Sequence, residues 1–117
     1  MTTPTSIPPA QLPVPILGYL AAHEARDAEA ALPAFTPTAV VVDDGATYRG
    51  TDEIRGFLSK AGSQFTYTTT LVAAERTDKA HWVATNRLEG NFPGGVVDLR
   101  YRFTMEGDRI AELVIAP

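Results

Sequence analysis

VVDLRYRFTMEGDRIAELVIAP, residues 96–117, alternates apolar and polar side chains on either side of a tight turn. Val97, Leu99, Tyr101, Phe103 and Met105 fall on one face; Asp98, Arg100, Arg102 and Thr104 fall on the other. A period of two marks a strand with one buried face. Glu106-Gly107-Asp108 supplies a hairpin turn, and a last strand runs from Arg109 to Ile115. The same pattern extends upstream. Phe65 to about Glu75 reads as a strand with Phe65, Tyr67, Thr69, Leu71 and Ala73 on one face and Thr66, Thr68 and Thr70 on the other. Thr77-Asp78-Lys79 turns into a strand from about Ala80 to Glu89, with Trp82, Ala84, Asn86 and Leu88 inward and His81, Thr85, Arg87 and Glu89 outward. Such a run of strands joined by tight turns pairs antiparallel.

The front half reads differently. Ile16, Leu20 and His23 stand at helical spacing in a first helix starting near Pro13 to Pro15, with Leu17 and Tyr19 flanking. Asp27 is placed to cap a short second helix that ends at Pro33. Ala39-Val40-Val41-Val42 is a β-branched run closing on Asp43-Asp44-Gly45, and Thr47-Tyr48 begins a short return strand. Thr51 or Asp52 caps a third helix, buried through Ile54, Phe57 and Leu58 and stopped at Gly62. Helices must cover one sheet face. The expected class is therefore α+β, a curved antiparallel sheet wrapped around three N-terminal helices.

The 117 residues suit one domain, read as residues 13–117 behind an extended or disordered arm, residues 1–12, that carries Pro4, Pro8 and Pro9. With 44% apolar and 21% charged residues the chain has a globular composition. A net charge of −4 disfavours nucleic acid and anionic lipid as partners. The absence of cysteine removes disulfides, thiolate metal sites and a Cys nucleophile. No stretch reaches the roughly 20 apolar residues of a membrane helix, and the N-terminus does not read as a secretion signal, so the expected location is cytoplasmic.

Polar side chains on apolar strand faces are the candidates for a pocket, because a buried polar group needs a partner. These are Tyr67, Thr69, Asn86 and Tyr101, to which the first helix adds Tyr19 and His23. Asp43 shares a face with Val41 at a strand end. It reads either as an acid at the pocket edge or as a turn residue bonding backbone amides. Asp98, Arg100 and Arg102 read as an outer charged ladder with Arg87 and Glu89, although a one-residue slip would turn Arg100 inward as an anion hook. Two distant histidines and scattered acids lack metal-ligand spacing, and Gly90–Gly95 is no phosphate loop, so neither metal nor cofactor is expected.

Residues 35–58, from Phe35 through Asp43-Asp44-Gly45, Tyr48, Gly50, Ile54 and Phe57-Leu58, resemble the front of an NTF2-like, SnoaL-like domain. Asp98-Leu99-Arg100-Tyr101-Arg102-Phe103 and Gly107-Asp108-Arg109-Ile110 resemble its ending. The resemblance implies a cone fold. It also implies a homodimer through the outer sheet face, and places Asp43 where ketosteroid isomerase-like members carry a general base. Two departures stand out: the hairpin after Asp43 is shorter than in the isomerase, and Leu99 falls near the place of that enzyme's second, protonated acid. A histidine–aspartate pair of the dehydratase kind would require His23 or His81 with Asp43. Two functions remain open. One is a cofactor-free isomerase, cyclase or lyase acting on an apolar carbonyl-bearing molecule, with Asp43 as base and Tyr19, His23, Tyr67, Asn86 and Tyr101 contacting ligand. The other is a non-catalytic dimeric module that binds a ligand or a protein.

Overall fold

The computed structural model describes residues 4–60 and 67–117. The helix stop read at Gly62 and the strand start read at Phe65 and Thr66 lie outside the described residues. The elements are β1 (Thr5–Ile7), α1 (Val14–Glu24), α2 (Ala28–Ala31), β2 (Phe35–Asp43), β3 (Ala46–Arg49), α3 (Gly50–Lys60), β4 (Tyr67–Arg76), β5 (His81–Gly90), β6 (Val96–Glu106) and β7 (Arg109–Ala116). One seven-stranded sheet runs in the order β1-β4-β5-β6-β7-β2-β3. The sheet is mixed rather than wholly antiparallel, because β2 lies parallel to β7 while every other neighbouring pair is antiparallel. A helix and four further strands separate β2 from β7 in sequence, so no hairpin turn dictates their relative direction.

The segment read as an arm enters the sheet at Thr5–Ile7, which pairs with Ala74–Arg76 of β4. Leu12, just after it, is 3% exposed and belongs to the core. The buried stripe of α1 is Ile16, Tyr19 and Ala22, rotated from the Ile16-Leu20-His23 stripe read in sequence. Tyr19 therefore sits at the centre of the helix contact rather than on its flank.

Alternation holds along β5 and β6, where Ala84, Asn86, Leu88, Tyr101 and Phe103 are buried. It fails in β4. A bulge between Leu71 and Ala73 shifts the register, so Ala74, and not Ala73, turns inward opposite Ala84. An extra residue on one strand exchanges the faces beyond it. The charged ladder does face outward: Arg87 holds Asp98 through two bonds of 2.9 and 3.2 Å, and Arg100 pairs with Glu75 at 3.6 Å. This overturns the slipped frame that would have made Arg100 an inward anion hook.

Turn and cap chemistry sets the entries to the site. Asp44 (φ 52°) and Gly45 (φ 78°) form the two-residue loop between β2 and β3. Both central residues have positive φ, the geometry that Asp-Gly favours in a tight hairpin. Asp27 caps α2 by accepting from the Ala30 amide at 3.1 Å. Neither Thr51 nor Asp52 caps α3; the helix begins at Gly50, and Glu53 accepts the Arg49 amide at 2.9 Å instead. At the end of α1, the Arg26 amide donates to His23 and the Asp27 amide to Ala22. This paired closure puts Arg26 in the left-handed region at φ 57°. Glycine usually occupies that position, and a side chain there costs about 1–2 kcal/mol.

Candidate functional site

The inner sheet face and the helices enclose a cavity of about 500 Å³. That size suits a drug-sized organic molecule. The parity of β6 places Val97, Leu99 and Tyr101 on its wall, β4 contributes Tyr67, and Ile115 of β7 lies beside Asp43 in register. Leu99 being apolar, no acid stands at its position.

Asp43 ends β2, one pleat beyond the fully buried Val41, and pairs with Ala46 across the hairpin. It is half-buried at the cavity wall. Asp44, not Asp43, occupies the left-handed turn position. Among the described residues the Asp43 carboxylate makes no hydrogen bond or ion pair. Loss of hydration, with the neighbouring Asp44 charge second, raises its pKa above the ordinary 3.8.

His23 projects from the last turn of α1 into a stack of rings. Tyr19 lies 5.5 Å away at 20° and Phe57 6.4 Å away at 10°, with Tyr101 edge-on at 6.3 Å. Burial, and secondarily the Arg26 charge, lowers the His23 pKa, so the ring is neutral at pH 7. Tyr101 is 3% exposed and its hydroxyl pKa is pushed up, chiefly by burial. The phenol therefore stays protonated and can donate. Asn86 acts on that pKa in the opposite, lowering sense. Tyr67 is half-buried, its pKa also raised by burial, and the Arg26 guanidinium lies 5.4 Å from its ring centre.

The structure thus brings Asp43, His23, Tyr67 and Tyr101 to one cavity. It does not place Tyr19 or Asn86 on that wall. Asn86 opens instead on a smaller groove between α1 and the sheet. Tyr19 is fully buried under the His23 ring, and among the described residues its hydroxyl has no hydrogen-bond partner. An unpaired buried hydroxyl costs about 1–3 kcal/mol. Tyr19→Phe is therefore expected to raise stability to urea by about 1 kcal/mol, and a loss in the melting curve would refute the assignment. His81 is remote from the cavity, its Nδ1 held 2.8 Å from Asp78 on the surface.

Sequence reading missed Tyr48, Phe57, Phe92, Asp44 and Lys60 on the wall. Lys60 had a usable signal, since it follows Phe57 by three residues on one helix face. Phe92 sits in an irregular loop and had none. Among the described residues no group of three acids or histidines could hold a metal ion, and no helix is long and apolar enough to cross a membrane.

A curved mixed sheet packed on three helices around an aromatic cavity defines the ketosteroid isomerase-like, NTF2-like class of α+β domains. Residues 16–113 match the model of the SnoaL-like domain family, and the chain belongs to that family. A provisionally assigned polyketide cyclase from Sinorhizobium meliloti is 30% identical, with TM-score 0.85 over 94% of this chain and 100% of the other. A protein of ketosteroid isomerase-like fold from Catenulispora acidiphila, crystallised with trimethylamine, is 19% identical, with TM-score 0.78 over 92% of this chain and 87% of that one. An NTF2-like protein of unknown function from Cytophaga hutchinsonii is 10% identical, with TM-score 0.69 over 87% and 85% of the two chains. These last two likenesses speak to fold alone. Comparison with curated proteins finds no match.

Proposed function

We propose that the domain binds a flat, apolar, carbonyl-bearing molecule in the aromatic cavity and, without a cofactor, removes a proton from a carbon beside that carbonyl. Such a step opens isomerase, cyclase or lyase chemistry. The observation that carries the reading is the half-buried Asp43 carboxylate, unpaired among the described residues and with raised pKa, on a wall that also carries the rings of His23, Tyr48, Phe57, Tyr67 and Tyr101. A base near an apolar substrate works best when its pKa approaches the working pH.

Each group has a defined task. The Asp43 carboxylate takes the carbon-bound proton. The C–H electron pair moves into the C–C bond, and the carbonyl π pair moves onto oxygen as an enolate. The protonated Tyr101 and Tyr67 hydroxyls donate to that oxygen. Neutral His23 presents a flat polar edge without a competing charge. Protonated Asp43 then returns the proton to a second carbon. Two copies pair through the outer sheet face, where half-buried Val42, Val83 and Val114 lie in one cross-strand row with Arg102 and Glu75; sedimentation as a monomer would end that part.

The test is deuterium exchange into the carbon acid of a tetralone, followed by proton NMR. Exchange at a rate set by enzyme concentration supports the reading; saturable binding without exchange favours the non-catalytic module. The pH profile adds a check. The active form of Asp43 is the carboxylate, so kcat/KM falls as pH drops through its raised pKa, above 3.8. Asp44→Asn removes a like charge and should move that limb to lower pH. An unmoved limb would assign the titration elsewhere.

A further inference from the structure

A second hollow, of about 200 Å³, lies between α1 and the sheet, and His23 lines both it and the main cavity. A hollow of ~150 Å³ already takes up a benzene-sized group. The two are joined along the strands. Tyr67 and Thr69 stand two residues apart on β4, Leu88 and Asn86 two apart on β5, and Thr69 lies opposite Leu88. Tyr67 and Leu88 face the cavity, while Thr69 and Asn86 face the groove. Side chains two apart share a sheet face, so one inner surface runs from the cavity into the groove. Leu17, Leu20 and Leu71 make the groove largely apolar. Asn86, 3% exposed, sets an amide among them, and Thr69 adds a hydroxyl. An amide carries both donors and an acceptor. Deep in an apolar groove it matches the polar end of a neutral chain.

We infer that the ligand has two parts: an aromatic ketone held in the cavity, and a short side arm that passes the His23 ring and ends in a hydroxyl against Asn86 and Thr69. This deepens the function proposed above and rests on the same cavity. Among the described residues Glu24 is the one formal charge on the groove wall, so a carboxylate-ended arm is disfavoured there. A seated arm lets the ring system lie in one orientation only. That orientation fixes which carbon is presented to Asp43.

The experiment is calorimetric titration of the full chain at pH 7 with 1-tetralone, 6-propoxy-1-tetralone and 6-(2-hydroxyethoxy)-1-tetralone. The two arms are equal in length and end in methyl and in hydroxyl. Both armed compounds should bind at least about ten-fold more tightly than the parent, from the apolar area the arm buries. The wild type should hold the hydroxyl arm as tightly as the methyl arm. Asn86→Leu should turn that parity into a methyl preference of about ten-fold or more, because the buried hydroxyl loses its amide partner. Both arms are read in the same variant on the same ring system, so altered packing around the cavity cancels from the ratio. Ala21→Phe fills the groove from an exposed position on α1, independently of Asn86, and should return both armed compounds to the parent's affinity. Arms that add nothing to wild-type affinity, a methyl preference already present in the wild type, a ratio unmoved by Asn86→Leu, or an advantage that survives Ala21→Phe would each overturn this inference and leave the cavity reading intact. Failure of all three compounds to bind would overturn both.

Discussion

Asp43→Asn is expected to slow tetralone exchange by about 100-fold to 10,000-fold, the range a positioned general base contributes. Asn matches Asp in shape but cannot accept the proton. The substitution touches no hydrogen bond or ion pair, so the cavity should keep its form and ligand affinity should stay within a few-fold. The linkage sign reinforces this. A carboxylate whose folded pKa is raised is less favourable when ionised in the native state. It lowers stability as pH rises past its ordinary 3.8 towards the raised value, and that penalty persists at pH 7. Asn removes the penalty, so the variant should unfold at the same or higher urea concentration than the wild type. Exchange that survives in a folded Asp43→Asn protein would move the base elsewhere. Collapse of the fold would mean the carboxylate is structural.

Phe103→Ala is expected to destabilise the protein by about 3–5 kcal/mol, the usual cost of emptying a buried aromatic site. Phe103 is 1% exposed on β6, in register with Trp82 and Leu113. Its ring meets Tyr19 edge-on at 5.8 Å. Tyr19 in turn carries the His23 ring, so the loss reaches the site floor through two contacts. Against a typical stability of about 5–15 kcal/mol, the variant should show a large drop in urea midpoint. A shift below about 1 kcal/mol would mean that the surroundings collapse into the space. Residual folded protein should bind ligand more weakly, because the stack above Tyr19 loses its support.

Some of the site was open to sequence reading and some was not. Tyr101 and Tyr67 were found because strand alternation sorts faces by parity alone. Asp43 was found because it keeps step with Val41 to the end of an apolar run. Ala73 and Ala74 exchanged roles at a bulge, which leaves no mark in a short run of small residues. Asn86 was placed on the buried face, but it opens on a smaller groove beside α1 rather than on the cavity. Tyr19 was read as a flanking residue because rotation about a helix axis is set by what the helix packs against, not by its own spacing.

Local reading was enough for the order of elements from α1 to β7, the inward faces of β5 and β6, the Asp44-Gly45 hairpin and membership of the SnoaL-like family. These follow from local rules: side-chain period, turn stereochemistry and cap chemistry, each acting over a few residues. Packing in three dimensions set the parallel pairing of β2 with β7, the place of Thr5–Ile7 in the sheet, and the meeting of Lys60 and Asp43 on one cavity wall. Those contacts join residues far apart in the chain. Their geometry depends on how a twisted sheet curls over three helices, and no local period encodes that curvature.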